Sequence, residues 1–299
     1  MMFQCLVCGH DELEELQQQV RDSKEHRIVK CCKCTHIQLF PLPLVEHDQS
    51  FYHENRQTRN LIGDSALDLI RLKGKYSLDI ERRRKIVEQY MGKESKILEI
   101  GAGYGFFIEE MLKTGHDIEG IEISGFRRKL IKDRLNTNIY DINLLKQEPS
   151  QNLVEKYDVA VLFQVLEHIS KPLLFIDRAT KMLKSGGILI IEVPNVRDHA
   201  LEVSEAYNDF FWQRAHLSYF APDMLVELIR SANLKIIDMI GIQRYGLDNL
   251  FHWLAFGERP KKQTQLELAS SLEWLNEAYK NKICGDLRSD TFMIICGKK

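Results

Sequence analysis

The stretch Lys96-Ile97-Leu98-Glu99-Ile100-Gly101-Ala102-Gly103-Tyr104-Gly105-Phe106-Phe107 decides the reading of this chain. Apolar Ile97, Leu98 and Ile100 read as a buried strand, the three glycines as a tight turn, and 106–112 as the opening of a helix. Glycines there let the backbone bend sharply and let a ligand reach main-chain N–H groups with no Cβ in the way. At a helix N-terminus such a turn favours an anionic group, because unpaired N–H donors and the positive end of the helix dipole point at it. The spacing is G-x-G-x-G rather than G-x-G-x-x-G, and an acidic residue, Glu99, stands two positions before the first glycine. A lone turn of this kind also serves as a plain strand-to-helix connection. The order of the elements downstream of it weighs against that bland reading.

A second apolar strand over 117–123 carries Glu122, about twenty residues past the glycines, where a nucleotide-binding fold places a carboxylate for the ribose hydroxyls. A third strand is expected over 137–141 with Asp141 at its end, a fourth over 157–163, and a fifth over 186–194 entered through a Gly-Gly turn. Helical patterns over 106–113, 126–135 and 172–183 lie between them. This alternation predicts an α/β fold, a doubly wound, Rossmann-like parallel sheet with ligands at the carboxyl ends of its strands. Strands over 235–244 and 291–297 would complete seven, with 245–290 inserted between the last two.

With Glu99 and its glycines, the run V-L-E-H-I-x-x-P from Val165, the run L-K-x-G-G-x-L from Leu183, and His216-Leu217-Ser218-Tyr219-Phe220 ahead of a helix, the chain resembles the class I S-adenosylmethionine-dependent methyltransferases over about 95–240. That resemblance implies a seven-stranded sheet whose last strand is antiparallel. It also implies S-adenosyl-L-methionine as cofactor. Glu99, Gly101, Ala102, Gly103 and Gly105 would surround its methionine end, and Glu122 with Ile123 its ribose. Asp141 would take the adenine amino group, and Gln164 would lie beside the sulfonium.

On the acceptor side the candidates are Glu167, His168, His216 and Tyr219. The segment 195–221 adds Tyr207, Phe210, Phe211 and Trp212, enough aromatic surface to shape a small-molecule pocket. A histidine suits a general base because its pKa lies near neutrality; a helix-capping or hydrogen-bonded structural histidine is the alternative for both.

Five of the seven cysteines fall in the first 34 residues, and Cys5-x-x-Cys8 and Cys31-x-x-Cys34 are separated by 22 residues. In a reducing compartment two such pairs read as a structural zinc site of four thiolates, closed to substrate; buried thiols or a redox pair are the other readings. Cys32 is the spare, His10, His26 and His36 could stand in for a cysteine, and Cys284 and Cys296 read as core. Beyond the second pair come 37–43, rich in proline, and then Phe51 and Tyr52. Many bacterial methyltransferases that tailor sugars, surface polysaccharides and secondary metabolites look like this, so the resemblance implies a small-molecule acceptor, with a sugar or sugar nucleotide first. Sugar C-methyltransferases of that kind carry a large further C-terminal domain that has no counterpart here. That weakens carbon methylation relative to methyl transfer in general.

The expected division is a zinc-ribbon-like module over 1–50, a linker with helices over 51–94, and the methyltransferase domain over 95–299. The basic run Glu81-Arg82-Arg83-Arg84-Lys85 reads as a solvated helix face, with phosphate binding as the sharper alternative. Within the insert, 266–279 looks amphipathic and Phe251, Trp253, Leu254 and Phe256 cluster; a substrate lid and an oligomer contact both fit.

Net charge is −2 with 28% charged residues, so no basic field calls for nucleic acid or an anionic membrane. No apolar run reaches bilayer length, and a soluble cytoplasmic protein is expected. Two other functions compete. The zinc module could present RNA or protein to the enzyme, but the fourth strand ends in Phe-Gln-Val-Leu rather than an Asn/Asp-Pro-Pro-aromatic run. The chain could also be a non-catalytic scaffold, which the intact Glu99, glycines and Glu122 disfavour.

Overall fold

A computed structural model of the chain describes residues 4–43, 66–260 and 270–299. Phe51, Tyr52 and the first residues of the amphipathic 266–279 segment lie outside them. Along the chain come β1 (Leu13–Gln17), β2 (Arg27–Cys31) and β3 (Ile37–Phe40), then α1 (Ala66–Gln89) and β4 (Lys96–Ile100). The alternation continues through α2 (Phe106–Lys113), β5 (Asp117–Ile121), α3 (Gly125–Lys132), β6 (Ile139–Tyr140), β7 (Tyr157–Phe163), α4 (Pro172–Lys181) and β8 (Leu183–Pro194). It closes with α5 (His199–Val203), α6 (Glu205–Phe211), β9 (Ser218–Tyr219), α7 (Pro222–Ser231), β10 (Leu234–Ile242), α8 (Leu247–Phe256), α9 (Glu273–Gly285) and β11 (Thr291–Lys298).

Seven strands form one sheet in the order β10-β11-β8-β7-β4-β5-β6, with one antiparallel strand toward its edge. The fold is the Rossmann-like, doubly wound α/β sheet that the strand-helix alternation predicts. By contact density the chain divides into two compact units, one of 1–42, 164–173 and 191–296, the other of 43–163, 174–190 and 297–299.

In the second unit β4 runs parallel to β5, with Glu99 opposite Gly120, and parallel to β7, with Glu99 opposite Val161. These strands are apolar on both faces because helices cover both. Helix α2 buries Phe106, Phe107, Ile108 and Met111. It lies close over β5 because Gly120 has no side chain; a Cβ there would stand 2.7 Å from Ile108 Cδ1. Leu72 and Ile80 of α1 pack on Phe106.

In the first unit the cysteine hairpin is not a free-standing module. β3 pairs antiparallel with β9, placing Ile37 opposite Tyr219 and Gln38 opposite Ser218. One buried cluster joins Val20, Ile28 and Leu39 to Trp212, Leu217 and Tyr219. Truncating a member such as Leu39 to alanine removes about 2–5 kcal/mol of that packing. The insert is likewise folded back: Leu247 and Leu250 of α8 bury against Ala200, with Tyr207, Leu275 and Tyr279 beside them.

Strand boundaries differ most from expectation at β8 and β6. β8 begins at Leu183, so Gly186 and Gly187 lie inside it rather than before it. Gly187 serves close approach, since a Cβ there would sit 2.9 Å from Lys184 O and 3.2 Å from Asp158 O. β6 shrinks to Ile139–Tyr140. Among the described residues no helix is long and apolar enough to cross a membrane.

Candidate functional site

The glycine turn hangs from the end of β5. Gly101 and Ala102 N–H both donate to Ile121 O, at 2.8 and 2.9 Å, and Gly105 N–H donates to Ala102 O at 2.8 Å. Gly103 and Gly105 both occupy the left-handed region, at φ 56° and 71°, but for different reasons. A Cβ on Gly105 would lie 2.9 Å from Ile131 Cγ1, so that glycine is needed for packing. A Cβ on Gly103 would meet nothing within 4 Å. The space beside Gly103 is where a ligand can approach the main chain.

Glu122 follows β5 and locks onto this turn. Its Oε2 accepts from Gly103 N–H and its Oε1 from Ser124 N–H, both at 2.8 Å, and the residue is 4% exposed. Each oxygen keeps a further lone pair for a hydroxyl donor. Glu99, 5% exposed, has one oxygen, Oε2, buried without a hydrogen-bond partner among the described residues. Burial pushes its carboxyl up to about 8; the nearby Arg83 guanidinium opposes that shift and Glu122 adds to it. A buried acceptor with an open lone pair is costly unless a donor arrives. An orphaned carboxylate oxygen, open space at Gly103 and a seated Glu122 together fit the ammonium and ribose of S-adenosylmethionine.

Asp141 stands just past the end of β6. Its carboxylate is largely exposed and pairs with Arg128 at 2.6 Å, while Arg128 also donates to Glu122 O and Ile123 O at 2.8 Å each. Arg128 thus ties the ends of β5 and β6 together.

The first unit holds the acceptor-side candidates. Gln164 sits at φ 57°, a left-handed conformation that costs a side-chain-bearing residue about 1–2 kcal/mol and recurs at functional sites. Its N–H donates to Glu192 O at 2.9 Å, and its amide nitrogen lies 3.4 Å from Glu192 Oε1. Glu167 and His168 occupy a 3-10 turn over Leu166–His168. Two bonds clamp this turn to the segment before β9: Leu217 N–H to Glu167 O at 2.8 Å, and His168 Nδ1 to Ala215 O at 2.7 Å. A carbonyl only accepts, so Nδ1 carries the proton and Nε2 presents a lone pair. The His216 ring stands edge-on to His168 with centroids 5.0 Å apart. Burial holds His216 well below the usual histidine pKa, so it is a neutral imidazole. One ligand atom from each of Glu167, His168 and His216 lies within 4.8 Å of the others.

Tyr219, expected among these, lies in the hairpin core. Its hydroxyl donates to Gln213 O and accepts from Gln213 N–H, both at 2.8 Å, inside the hairpin core. The aromatic residues expected to shape an acceptor pocket contact one another and Trp253. Tyr207 and Phe210 lie 5.3 and 5.2 Å from the Trp253 ring, and Phe211 and Trp212 pack on Tyr219.

The four paired cysteines converge. Cys5 and Cys34 sulfurs are 3.4 Å apart, Cys8 and Cys31 3.6 Å, and all four lie within 4.8 Å of one another. Those spacings are far beyond a disulfide bond. Zinc–sulfur bonds of about 2.3 Å in a tetrahedron place sulfurs about 3.8 Å apart, so the four fit that ion. The residue after each pair, Gly9 at φ 70° and Thr35 at φ 61°, turns the chain left-handed around the site. Gln38 ties the site to the sheet, accepting from Leu6 N–H at 2.8 Å and donating to Gln4 O at 3.2 Å. Cys32 is exposed and outside the cluster. His26 lies 2.8 Å from Ser23 Oγ and His36 3.1 Å from Ser218 Oγ, away from the sulfurs.

Arg83 was missed in the basic run. Arg82, Arg84 and Lys85 do pair with Asp79, Glu88 and Glu81 along the helix surface. Arg83 instead lies over the Phe163 ring at 4.7 Å and within electrostatic reach of Glu99. Ile80 and Val87, about a turn to either side, are buried, but Arg84 has equivalent helical spacing, so the pattern alone did not single Arg83 out.

Residues 72–239 match the family model Methyltransf_23, described as a methyltransferase domain. The chain is similar to the ubiquinone biosynthesis O-methyltransferase of Cereibacter sphaeroides, 26% identical over 157 residues, or 49% of this chain and 63% of that protein. It is also similar to the protein of that name from Coxiella burnetii, 22% identical over 56% of this chain and 76% of that one. The chain thus matches less than two thirds of the first of these relatives. A SAM-dependent methyltransferase structure from Archaeoglobus fulgidus shares the fold, with a TM-score of 0.52 and 17% identity over 78% of this chain and 100% of that one. The family model spans the glycine turn, Glu122, Glu167, His168 and His216, and covers more than half of the sequence; the chain belongs to the methyltransferase domain family.

Proposed function

We propose that this protein transfers a methyl group from S-adenosylmethionine to an oxygen of a small organic acceptor. The observation that carries this reading is the buried Glu122 carboxylate, seated on the glycine turn by two main-chain N–H groups with lone pairs left for ribose hydroxyls. Glu99 is suited to the cofactor's ammonium, and Arg83 beside it to the cofactor's carboxylate, a matched pair for a zwitterionic amino-acid end. S-adenosylmethionine supplies a methyl group already activated on a cationic sulfur. The chain's own task is to hold the partners in line and to remove the acceptor's proton. Proton removal falls to the basic lone pairs of the Glu167–His168–His216 cluster, where His168 Nε2 is aimed by its Nδ1 bond to Ala215. Oxygen as the acceptor atom is supported by the relatives' names. A sugar or sugar nucleotide is supported by the N-terminal resemblance alone.

Cys5, Cys8, Cys31 and Cys34 hold a zinc ion in this reading. Four thiolates leave no open position, so the ion is structural and stabilises the hairpin that β3 joins to β9. Calorimetry with S-adenosylmethionine tests the reading, followed by release of the demethylated cofactor in the presence of phenolic diols and sugar nucleotides. No cofactor binding at millimolar concentration would overturn it.

A further inference from the structure

Arg244 stands two residues past the end of β10 at Ile242. Three strand ends meet around it. Asn195 N–H, just past β8, donates to Asp290 O at 3.1 Å. Asp290 N–H, just before β11, donates to Gln243 Oε1 at 3.0 Å, and Ile242 N–H to Ser289 Oγ at 2.9 Å. So β8 and β10 finish, and β11 starts, on one edge of the sheet. That is the edge, outside the carboxyl ends of the parallel strands, where open α/β sheets take their ligands.

The Asp290 carboxylate grips Arg244 by its near end. Oδ2 accepts the arginine's main-chain N–H at 2.7 Å and Oδ1 accepts Nε–H at 2.6 Å. An arginine kept only for an ion pair would turn its fork, Nε with one terminal nitrogen, to both carboxylate oxygens. Here one oxygen goes to the backbone, and Nη1 and Nη2 have no hydrogen-bond or ion-pair partner among the described residues. Neither nitrogen is a buried unpaired atom, so both reach open space, although the side chain is only 27% exposed and Asp290 beneath it is buried. Of a guanidinium's five N–H donors, four remain, in a plane whose stem is held still. The outer pair matches the spacing of two oxygens on a carboxylate or phosphate. Arg244 also lies within electrostatic reach of Glu192 and His216, and Glu192 O accepts the Gln164 N–H.

We propose that Arg244 binds an oxyanion of the acceptor, a carboxylate or a phosphate, which makes the acceptor a small acidic molecule. The inference rests on the methyltransferase reading and narrows its substrate. Phenolic acids and sugar nucleotides carry such a group; neutral diols and free sugars do not. The Asp290 charge offsets the arginine's long-range field, so recognition rests on directed hydrogen bonds from a held fork more than on attraction at a distance.

The test is ligand-observed NMR on the full-length protein saturated with the demethylated cofactor, using two pairs of probes. Protocatechuate against its amide reads the carboxylate, and UDP-glucose against methyl glucoside reads the phosphate. In at least one pair the anionic member should bind about tenfold more tightly, and which pair does so identifies the oxyanion. Arg244→Gln, checked for folding by S-adenosylmethionine binding, should cut that preference to about threefold or less. A wild type that prefers neither anionic probe at millimolar concentration overturns the proposal, as does an undiminished preference in the folded variant. If the variant does not fold, phenylglyoxal labelling of wild-type Arg244, read by peptide mass spectrometry, decides. Labelling should be slowed by the preferred anionic probe and not by its neutral partner; equal labelling with both overturns the proposal. Failure of the wild type to bind S-adenosylmethionine would overturn the methyltransferase reading instead, whatever the probes do.

Discussion

Replacing Glu122 with glutamine tests the cofactor site more sharply than removing the side chain. In the native turn both carboxylate oxygens accept main-chain N–H donors at 2.8 Å, Gly103 on Oε2 and Ser124 on Oε1. A glutamine has one oxygen and one NH2, so in either orientation a donor faces a donor. One charge-assisted bond worth about 1.5–3 kcal/mol is lost, and a buried N–H goes unpaired at a further cost of about 1–3 kcal/mol. Glu122→Ala removes both acceptors at once, so the near-isosteric Glu122→Gln isolates the loss of one. For a chain of this size about 2 kcal/mol lowers the melting temperature by roughly 4–8 °C. Cofactor affinity falls further, because the ribose hydroxyls lose their charged acceptor; tenfold is about 1.4 kcal/mol and is the smallest loss expected. Titration calorimetry with S-adenosylmethionine on the wild type and both variants, alongside thermal melts, measures each part. An unchanged dissociation constant in Glu122→Ala would rule out this residue as the ribose ligand. A glutamine variant that melts and binds like the wild type would refute the two-donor argument.

Three other expectations rest on the same geometry. Burial first, with Glu122 adding and Arg83 opposing, places the Glu99 carboxyl at about 8. Its charged form is the one that pairs with an ammonium, so cofactor affinity should rise as pH climbs from about 7 to 9, with proton release on binding. Calorimetry in buffers of different ionisation enthalpy should show that release, and Glu99→Gln should abolish the slope. Gly103→Ala should fold with a penalty of about 1 kcal/mol from its left-handed backbone yet lose cofactor binding. Gly105→Ala should instead lose stability outright, because its Cβ collides with Ile131; equal effects of the two on melting and binding would contradict the separate roles given to them. Cys5→Ser and Cys34→Ser should each lose bound zinc by elemental analysis and, through the core shared by Ile28, Leu39 and Trp212, change tryptophan fluorescence. Full zinc content with native emission in both variants would remove the four-thiolate site.

The glycine turn, Glu99 and Glu122 could be read directly because one short stretch of chain builds them. A strand, its turn and the next helix are contiguous, and Glu122 ends the strand after that helix. The paired cysteines were legible for the same reason, since each grip is made within four residues. The doubly wound parallel sheet came from alternation, because covalent connection limits where a parallel strand can go. Other features depend on partners distant in sequence. The pairing of β3 with β9 joins residues about 180 apart, and short strands carry too little pattern to announce it. That pairing sets Ile37 opposite Tyr219 and draws the tyrosine into the hairpin's core. Arg83 looked like one more surface cation until the sheet supplied Phe163 and Glu99. Glu167 and His168 lie nearly 50 residues from His216, and only main-chain bonds between their segments turn three polar residues into one cluster. Sequence by itself determined what is built from neighbours along the chain, namely the sheet's alternation, the glycine turn and the cysteine grips. Tertiary structure alone decided which distant side chains share a site, because that depends on packing and on hydrogen bonds that no local spacing encodes.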